Sequence, residues 1–280
     1  MNTQSSTIYF LIPAFNEEDN LVFLFANLRR ISTYIESEYR IIVVDDCSTD
    51  GTAAKVEEFA QVMPVTLVRF VKNQGPGAAF DAAFRKALET SRGDDVFVTL
   101  EADNTSDLCI LGRMREQINR GSDVSLASVY GAGKVVGAPL LRRALSLVAN
   151  LMLKYTLGLS KLNTFSSFFR MYRRSAVESL YQAYGDRVIT EDGFVCMVEL
   201  LIKFKTLGAK ITETPMLLDS NIRVGDSKMK IIRTGLSYGR VIRKHLFTSF
   251  YKPGVNQPVA PASQTSPSSS PSAPSGEQTD

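Results

Sequence analysis

Two carboxylates one residue apart, Glu101 and Asp103 in "VFVTLEADNTSD", break off a hydrophobic run. If a strand continues through them, side chains two apart share one face, so both acids can point at one hard cation. Mg²⁺ or Mn²⁺ held by one or two carboxylates fills its shell with water and phosphate oxygens, which suits a diphosphate ligand. The plainer alternative is a solvated acid pair in a strand-to-helix loop, with Thr105 or Ser106 as the helix cap. The other acids that close strands weigh against it. Asp45 and Asp46 precede Ser48, Asp50 and Gly51, a cluster with the acceptors to hydrogen-bond a nucleobase or ribose. Asp50 reads as a helix cap, but capping does not account for two adjacent carboxylates whose repulsion is a cost unless something binds there. In "NQGPGAAF", Gly75 and Gly77 lead into a helix near Pro76 whose N–H groups can face a phosphate, although Gly-Pro-Gly alone is more often turn punctuation.

These residues need elements to present them. Through about Tyr130, short β-branched runs alternate with longer amphipathic segments: "TIYFLIP", a helix over 17–36, "RIIVVDD", a helix after Gly51, "VTLVRF", a helix after Pro76, "DVFVTLE", a helix after Ser106 and "DVSLASV". The pattern predicts an α/β fold with a mostly parallel sheet, and ligands gather at the carboxyl ends of such strands. "PAFNEE", "DDCSTDGT", "NQGPG" and "EADNTSD" are the segments found there. After a glycine-rich connector the character changes. A basic amphipathic segment, the stretch "NTFSSFFRMYRR", a helix near "TEDGFVCMVELLIKF" and a strand-like "KITETP" complete the same domain. The expected organisation is one domain over 1–252, with a nucleotide half at about 7–130 and an acceptor half at about 131–252. Residues 253–280, rich in Pro and Ser without apolar periodicity, are expected to be a disordered tail.

Composition excludes several classes. With 280 residues and 44% hydrophobic content the chain can bury a proper core. Three scattered cysteines and one histidine, His245, argue against a disulfide framework or a Cys/His zinc site and fit a cytoplasmic protein. A net charge of +3 without any base-reading motif gives no reason to expect a nucleic-acid partner. The N-terminus has no secretory signal, and "ALSLVANLML" falls short of the roughly 20 apolar residues of a membrane span.

Taken in order, "IPAFNEEDNL", "IIVVDDCSTDGT", "NQGPGAAFDAA", "EADNTSD", "TFSSFFRMY", "EDGFVCMVELL" and "RVGDSKM" resemble the family 2 glycosyltransferases of the dolichyl-phosphate mannose synthase type, over roughly 8–229. The resemblance implies a GT-A fold, a nucleotide-sugar donor such as GDP-mannose or UDP-glucose, and Mg²⁺ or Mn²⁺ at Glu101 and Asp103, where the family more often has Asp in the first position. It implies that Pro13, Phe15 and Glu17 contact the nucleoside, with Asp45 and Asp46 at base and ribose. It places Arg170 near the acceptor phosphate, where Ser167 replaces a family glycine, and matches Arg223, Ser227 and Lys228 to a further family element.

The chemistry agrees with that branch. An anionic acceptor oxygen needs no strong general base, so the task is to bring two anionic substrates together with metal on one side and Arg or Lys on the other. Arg142, Arg143, Arg170, Arg223 and Lys228 form the basic pool; Arg170, set among Phe168, Phe169 and Met171, is expected to meet the acceptor phosphate or else a buried acid. The segments from Ala138 and from Lys228 combine apolar residues at helical spacing with basic ones, as do helices lying on an anionic membrane, though each also fits packing on the sheet. The expected activity is inverting transfer of a hexose, mannose in the first instance, to a polyprenyl or dolichyl phosphate by a peripheral enzyme on the cytoplasmic face of a membrane. One rival uses a soluble or saccharide acceptor with Glu191 or Asp192 as base. Another is a catalytically weak nucleotide-sugar-binding scaffold.

Overall fold

Alternate residues of the first two strands feed two different cores. Tyr9, Leu11, Ile42 and Val44 pack on one face with Phe80, Ala83 and Phe84, while Ile8, Phe10, Ile12, Ile41 and Val43 pack on the other with Leu21, Leu24 and Phe25. A sheet buried on both sides reads as the continuous apolar runs seen in the sequence. The computed structural model describes residues 6–32, 35, 37–137, 140–156, 162–224, 238–241 and 243.

In chain order come β1 (Ile8–Ala14), α1 (Glu18–Ser32), β2 (Tyr39–Asp45), α2 (Thr52–Ala60), β3 (Val65–Arg69), α3 (Gly75–Thr90), β4 (Val96–Thr99), α4 (Leu111–Asn119) and β5 (Val124–Ser128). This is the expected alternation; residues 33, 34 and 36 of the helix expected over 17–36 lie outside the described residues. The later half contributes β6 (Lys134–Val136), α5 (Leu140–Thr156), β7 (Arg170–Arg173), α6 (Arg174–Tyr184), α7 (Cys196–Thr206), β8 (Ile211–Pro215) and β9 (Leu217–Asp219). The main sheet runs β3-β2-β1-β4-β7-β5-β8, and β6 pairs with β9 in a small parallel sheet. Only β7 of the main sheet runs antiparallel to its neighbours, so "mostly parallel" holds.

Strand order reverses between β1 and β4, and an open α/β sheet offers its ligand crevice beyond the carboxyl ends of strands at such a switch. Glu17 follows β1 and Asp103 follows β4, so the fold brings the first and fourth motifs to the two lips of that crevice. Pairing of β1 with β4 stops at Leu11 and Thr99, with one more bond from Leu100 N–H to the Leu11 carbonyl. Pro13, which has no N–H to give, therefore sits where that ladder has already ended.

Among the described residues no helix is long and apolar enough to cross a membrane. Ser227, Lys228, most of the second amphipathic segment and the expected tail over 253–280 lie outside the described residues.

Candidate active site

Among the described residues three other than glycine adopt a left-handed backbone, and each follows a strand end at the crevice: Asn16 (φ 54) after β1, Cys47 (φ 63) after β2 and Asn104 (φ 61) after β4. Such backbone is costly without a glycine and tends to gather where a site must be shaped. The surrounding bonds hold it in place. Asn16 N–H donates to Ser48 Oγ at 2.9 Å, and Asn16 Oδ1 accepts from Thr49 N–H at 2.8 Å. Glu17 N–H donates to Thr52 Oγ1 at 2.8 Å, while Gly51 N–H donates to Glu18 Oε2 at 2.8 Å. A Cβ at Gly51 would meet that Glu18 carboxylate, the mobile end of a side chain, and displace it from this bond. The loops after β1 and β2 are thus one hydrogen-bonded unit.

The N-cap position of α2 is Gly51; Asp50, one residue before it, accepts from Thr52 N–H at 3.0 Å. Burial acts to raise its pKa, but bonds from Thr52 and the Glu18 N–H outweigh that and hold it below the usual carboxylate range. Asp45 and Asp46 are both buried, and much of their capacity is already used. Asp45 accepts from Ser48 N–H at 3.0 Å, with Arg69 at 3.9 Å. Asp46 accepts from Gln74 N–H at 2.7 Å and Gly75 N–H at 2.8 Å, one on each oxygen. Burial pushes Asp46 above its ordinary pKa despite those two bonds, and neighbouring Asp45 pushes in the same direction. Both acids line the crevice, yet Asp46 also ties β2 to the start of α3.

The glycines of that start serve a different purpose from the one expected. Gly77 N–H donates to the Asp192 carbonyl at 3.0 Å, and the first N–H groups of α3 are therefore answered by protein rather than held out for phosphate. A Cβ on Gly77 would collide with the Glu191 carbonyl, and one on Gly75 (φ 85) with the Asp192 carbonyl. Glycine is needed here because the 191–192 backbone lies directly on the helix end.

The acid pair is likewise placed differently. β4 ends at Thr99, and Glu101, Ala102 and Asp103 lie in the turn that follows, so the two acids are not alternate residues of one strand. Asp103 is buried, its Oδ1 accepting from Thr105 N–H at 3.1 Å and Thr105 Oγ1 at 2.8 Å. Its Oδ2 pairs with Arg223 Nη1 at 3.0 Å. Arg223 Nη2 lies 3.7 Å from Glu17 Oε1, so one guanidinium bridges the loops after β1 and β4. The buried Nε of Arg223 finds no acceptor among the described residues. Glu101 is half-buried, Pro13 is half-buried on β1, and Phe15 is exposed at the crevice edge. Among the described residues no group of three or more acidic, His or Cys side chains converges into a metal cage.

Arg170 does not meet the acceptor as expected. It is 1% exposed, and its guanidinium donates to three backbone carbonyls: Ser167 at 2.7 Å, Met197 at 2.8 Å and Phe165 at 2.8 Å. Neither Glu191 nor Asp192 is its partner, and so buried a guanidinium offers no face to a phosphate. The physical reason is β7: as its first residue Arg170 points into the core, and the chain on both sides turns carbonyls towards it. Glu191 is 4% exposed and pairs with Arg240 at 3.5 Å. Arg142 and Arg143 fall in the first turn of α5. Sequence reasoning missed Asn20, whose buried carboxamide reaches both Glu17 and Val224; its only signal was a polar residue three after Glu17 on the buried side of α1.

Known proteins share both sequence and architecture. The chain is 32% identical over 226 residues to a dolichol-phosphate mannosyltransferase of Pyrococcus furiosus, covering 79% of this chain and 58% of that protein, so it spans little more than half of that relative. It is 30% identical over 220 residues to an undecaprenyl-phosphate mannosyltransferase of Micrococcus luteus, covering 78% of this chain and 86% of that one. The glucosyl-3-phosphoglycerate synthase of Mycobacterium tuberculosis, solved with Mn²⁺, UDP and glucosyl-3-phosphoglycerate, superposes with a TM-score of 0.59 at 18% identity, covering 86% of this chain and 79% of that one. That likeness shows the fold, which is GT-A. Residues 9–181 match the family described as glycosyl transferase family 2, and with the strand-end acids and the switch-point crevice in place the chain belongs to that family.

Proposed function

We propose that this chain transfers a hexose, mannose in the first instance, from a nucleoside-diphosphate donor to a polyprenyl phosphate, with inversion at the anomeric carbon. The observation that carries the reading is Arg223, which reaches from the acceptor half to Glu17 and Asp103 at the strand-order switch. Its buried Nε, which meets no acceptor among the described residues, is a donor whose cost is relieved when a ligand oxygen meets it. This supports a role for Arg223 on phosphate oxygens where donor and acceptor adjoin, and not in the acceptor half alone. The names of the Pyrococcus and Micrococcus relatives support mannose and a lipid phosphate.

A hard divalent ion fits the donor set. Asp103 is a buried carboxylate that already faces a cation, Glu101 lies two residues away in the same turn, and Mg²⁺ or Mn²⁺ needs only one or two carboxylates when a diphosphate completes the shell. Such an ion supplies charge stabilisation at the leaving diphosphate. The residues of the chain do the rest. Pro13, Phe15, Glu17 and Asp45 shape the nucleoside end, Asp46 holds β2 against α3 beside it, and Arg223 offsets the charge of two anionic substrates brought close together.

A lipid acceptor calls for a membrane-facing surface. Leu147, Leu151, Met152 and Tyr155 of α5 are exposed at 47%, 45%, 42% and 81%, and all but Met152 recur at helical spacing along one face. Arg142 and Arg143 in the first turn, with Lys154 in the last, supply the basic residues that suit an anionic cytoplasmic leaflet. Arg142, Arg143, Ser227 and Lys228 remain the proposed acceptor-phosphate groups.

The test incubates the protein with labelled GDP-mannose or UDP-glucose, Mg²⁺ or Mn²⁺ and a short polyprenyl phosphate, and follows label into organic solvent. Lipid-soluble product is expected, lost in Asp103→Ala and retained in Glu101→Asp. Product confined to the aqueous phase would replace the lipid acceptor with a soluble one, and no metal-dependent turnover of either donor would overturn the enzymatic reading.

A further inference from the structure

Arg223 does not reach Asp103 by its own local structure. It follows a short strap that leaves β9, where Asp219 pairs with Val136 of β6, and passes through a single 3-10 turn over Ser220–Ile222. Asn221 lies so close to Gly137 (φ 77) that a Cβ there would strike its side chain. The far end of the strap is held by α1. Asn20, 4% exposed, accepts from Val224 N–H through Oδ1 at 2.9 Å and donates from Nδ2 to the Val224 carbonyl at 3.0 Å. The same Nδ2 donates to Glu17 Oε2 at 2.7 Å.

We propose that Asn20 is a positioning residue that seats Arg223 on the site. Its carboxamide clamps both backbone groups of Val224, so the side chain immediately before it falls between Glu17 and Asp103. It also fixes the Glu17 carboxylate that takes the second arm of the same guanidinium. The match is specific to an amide: one acceptor answers the Val224 N–H, and two donor hydrogens answer the carbonyl and the carboxylate. Aspartate would keep the first contact and set a carboxylate against the other two oxygens. Leucine would fill the space and make none of the three. This clamp joins segments 204 residues apart through a side chain and is no part of the backbone ladder that forms α1. What the clamp adds is the place of Arg223.

The consequence for binding rests on the donor reading above, whereas the clamp itself does not, and the test separates the two. The first arm follows hydrogen exchange in the full metal-free chain. Peptides spanning 220–224 should exchange about tenfold faster in Asn20→Ala than in wild type, the size expected for losing a pair of hydrogen bonds, while β1 and β2 peptides stay unchanged. Unchanged exchange over 220–224 would overturn the clamp, as would faster exchange spread through β1 and β2.

The second arm is a double-mutant cycle on Mn²⁺-GDP and Mn²⁺-UDP affinity by calorimetry, using wild type, Asn20→Ala, Arg223→Gln and the double variant. Asn20→Ala should weaken the better-bound nucleotide about tenfold, and the same change in the Arg223→Gln background should cost less than about twofold. A full additional loss in that background would show Asn20 acting independently of Arg223 and overturn the positioning role. If neither nucleotide binds wild type, the donor reading fails, and the exchange arm still decides the clamp.

Discussion

Lys203 and Glu199 form an ion pair within α7 whose side chains are both 0% exposed, with Nζ and Oε1 2.7 Å apart. Lys203→Met removes the cation and leaves the volume nearly filled. The Glu199 carboxylate keeps three donors, Thr190 N–H at 2.9 Å, Thr190 Oγ1 at 2.6 Å and Glu191 N–H at 3.0 Å. It loses the charge partner that Lys203 supplies. Two carbonyls lose a donor as well, Val188 at 3.0 Å and Arg187. Breaking one side of a buried pair costs about 3–5 kcal/mol, and the donors that stay on Glu199 set the expectation near the lower figure, about 3 kcal/mol. For a chain of this size each kcal/mol moves Tm by about 2–4 °C, so the variant should melt about 6–12 °C lower. Glu199→Gln should cost a similar amount by stranding the ammonium. The double variant, which carries neither charge, should be more stable than the sum of the two singles by about 1–3 kcal/mol. The assay is thermal unfolding of all four proteins followed by far-UV circular dichroism. A shift under about 2 °C for Lys203→Met, or strict additivity in the double variant, would refute the reasoning. The pair holds residues 187–191, the segment that leads into the carbonyls lying on Gly75 and Gly77, so loss of stability here should be accompanied by weaker donor binding.

Gly77→Ala should destabilise the fold and displace residues 191–192, because the obstacle is a backbone carbonyl that cannot rotate away; a Tm equal to wild type would mean the two segments do not touch in solution. Arg170→Lys should lower stability by about 2–4 kcal/mol in chemical denaturation, since one ammonium cannot serve three carbonyls set around a planar fork. An unchanged midpoint with weakened acceptor binding would return Arg170 to the acceptor site.

The strand-end acids were legible because polarity at the end of an apolar β-branched run has few structural uses. Asp45, Asp46 and Asp103 all lie where that argument puts them, at the carboxyl edge beside the β1–β4 switch. What the side-chain code does not carry is the position of backbone atoms from elsewhere in the chain. Arg170 among Phe168, Phe169 and Met171 correctly signalled a buried cation needing partners, yet its partners are carbonyls, which every residue owns and no sequence marks. Gly75 and Gly77 read as a helix start facing a phosphate or as turn punctuation, but what lies on them is the 191–192 main chain. The turn at Glu101 was hidden for a related reason: the β1–β4 ladder ends with the Leu100 N–H on the Leu11 carbonyl although β1 itself runs on to Ala14, and no side chain marks that end. The strand β7 and helix α6 were missed because "RMYR" is short and bears two arginines, so it shows neither apolar alternation nor a cap.

Charge arithmetic in the crevice explains why the most informative residue arrives last in the chain. The loops after β1 and β4 bring Glu17 and Asp103 to facing lips, both under a tenth exposed, and two buried carboxylates sharing a site repel unless a cation intervenes. Arg223 brings one there, delivered by the strap between β9 and α1. The strap's other end is paired to β6, which leads through Gly137 into α5 and its exposed apolar face. A single guanidinium thus joins both lips of the crevice to the later part of the chain. Any ligand that brings its own positive charge to Asp103 must renegotiate that contact, and the Val224 clamp on Asn20 limits how far Arg223 can retreat. A tether of fixed length that keeps a cation beside two anionic groups is what a transfer between two phosphates requires, because the unfavourable term to be overcome is their mutual repulsion.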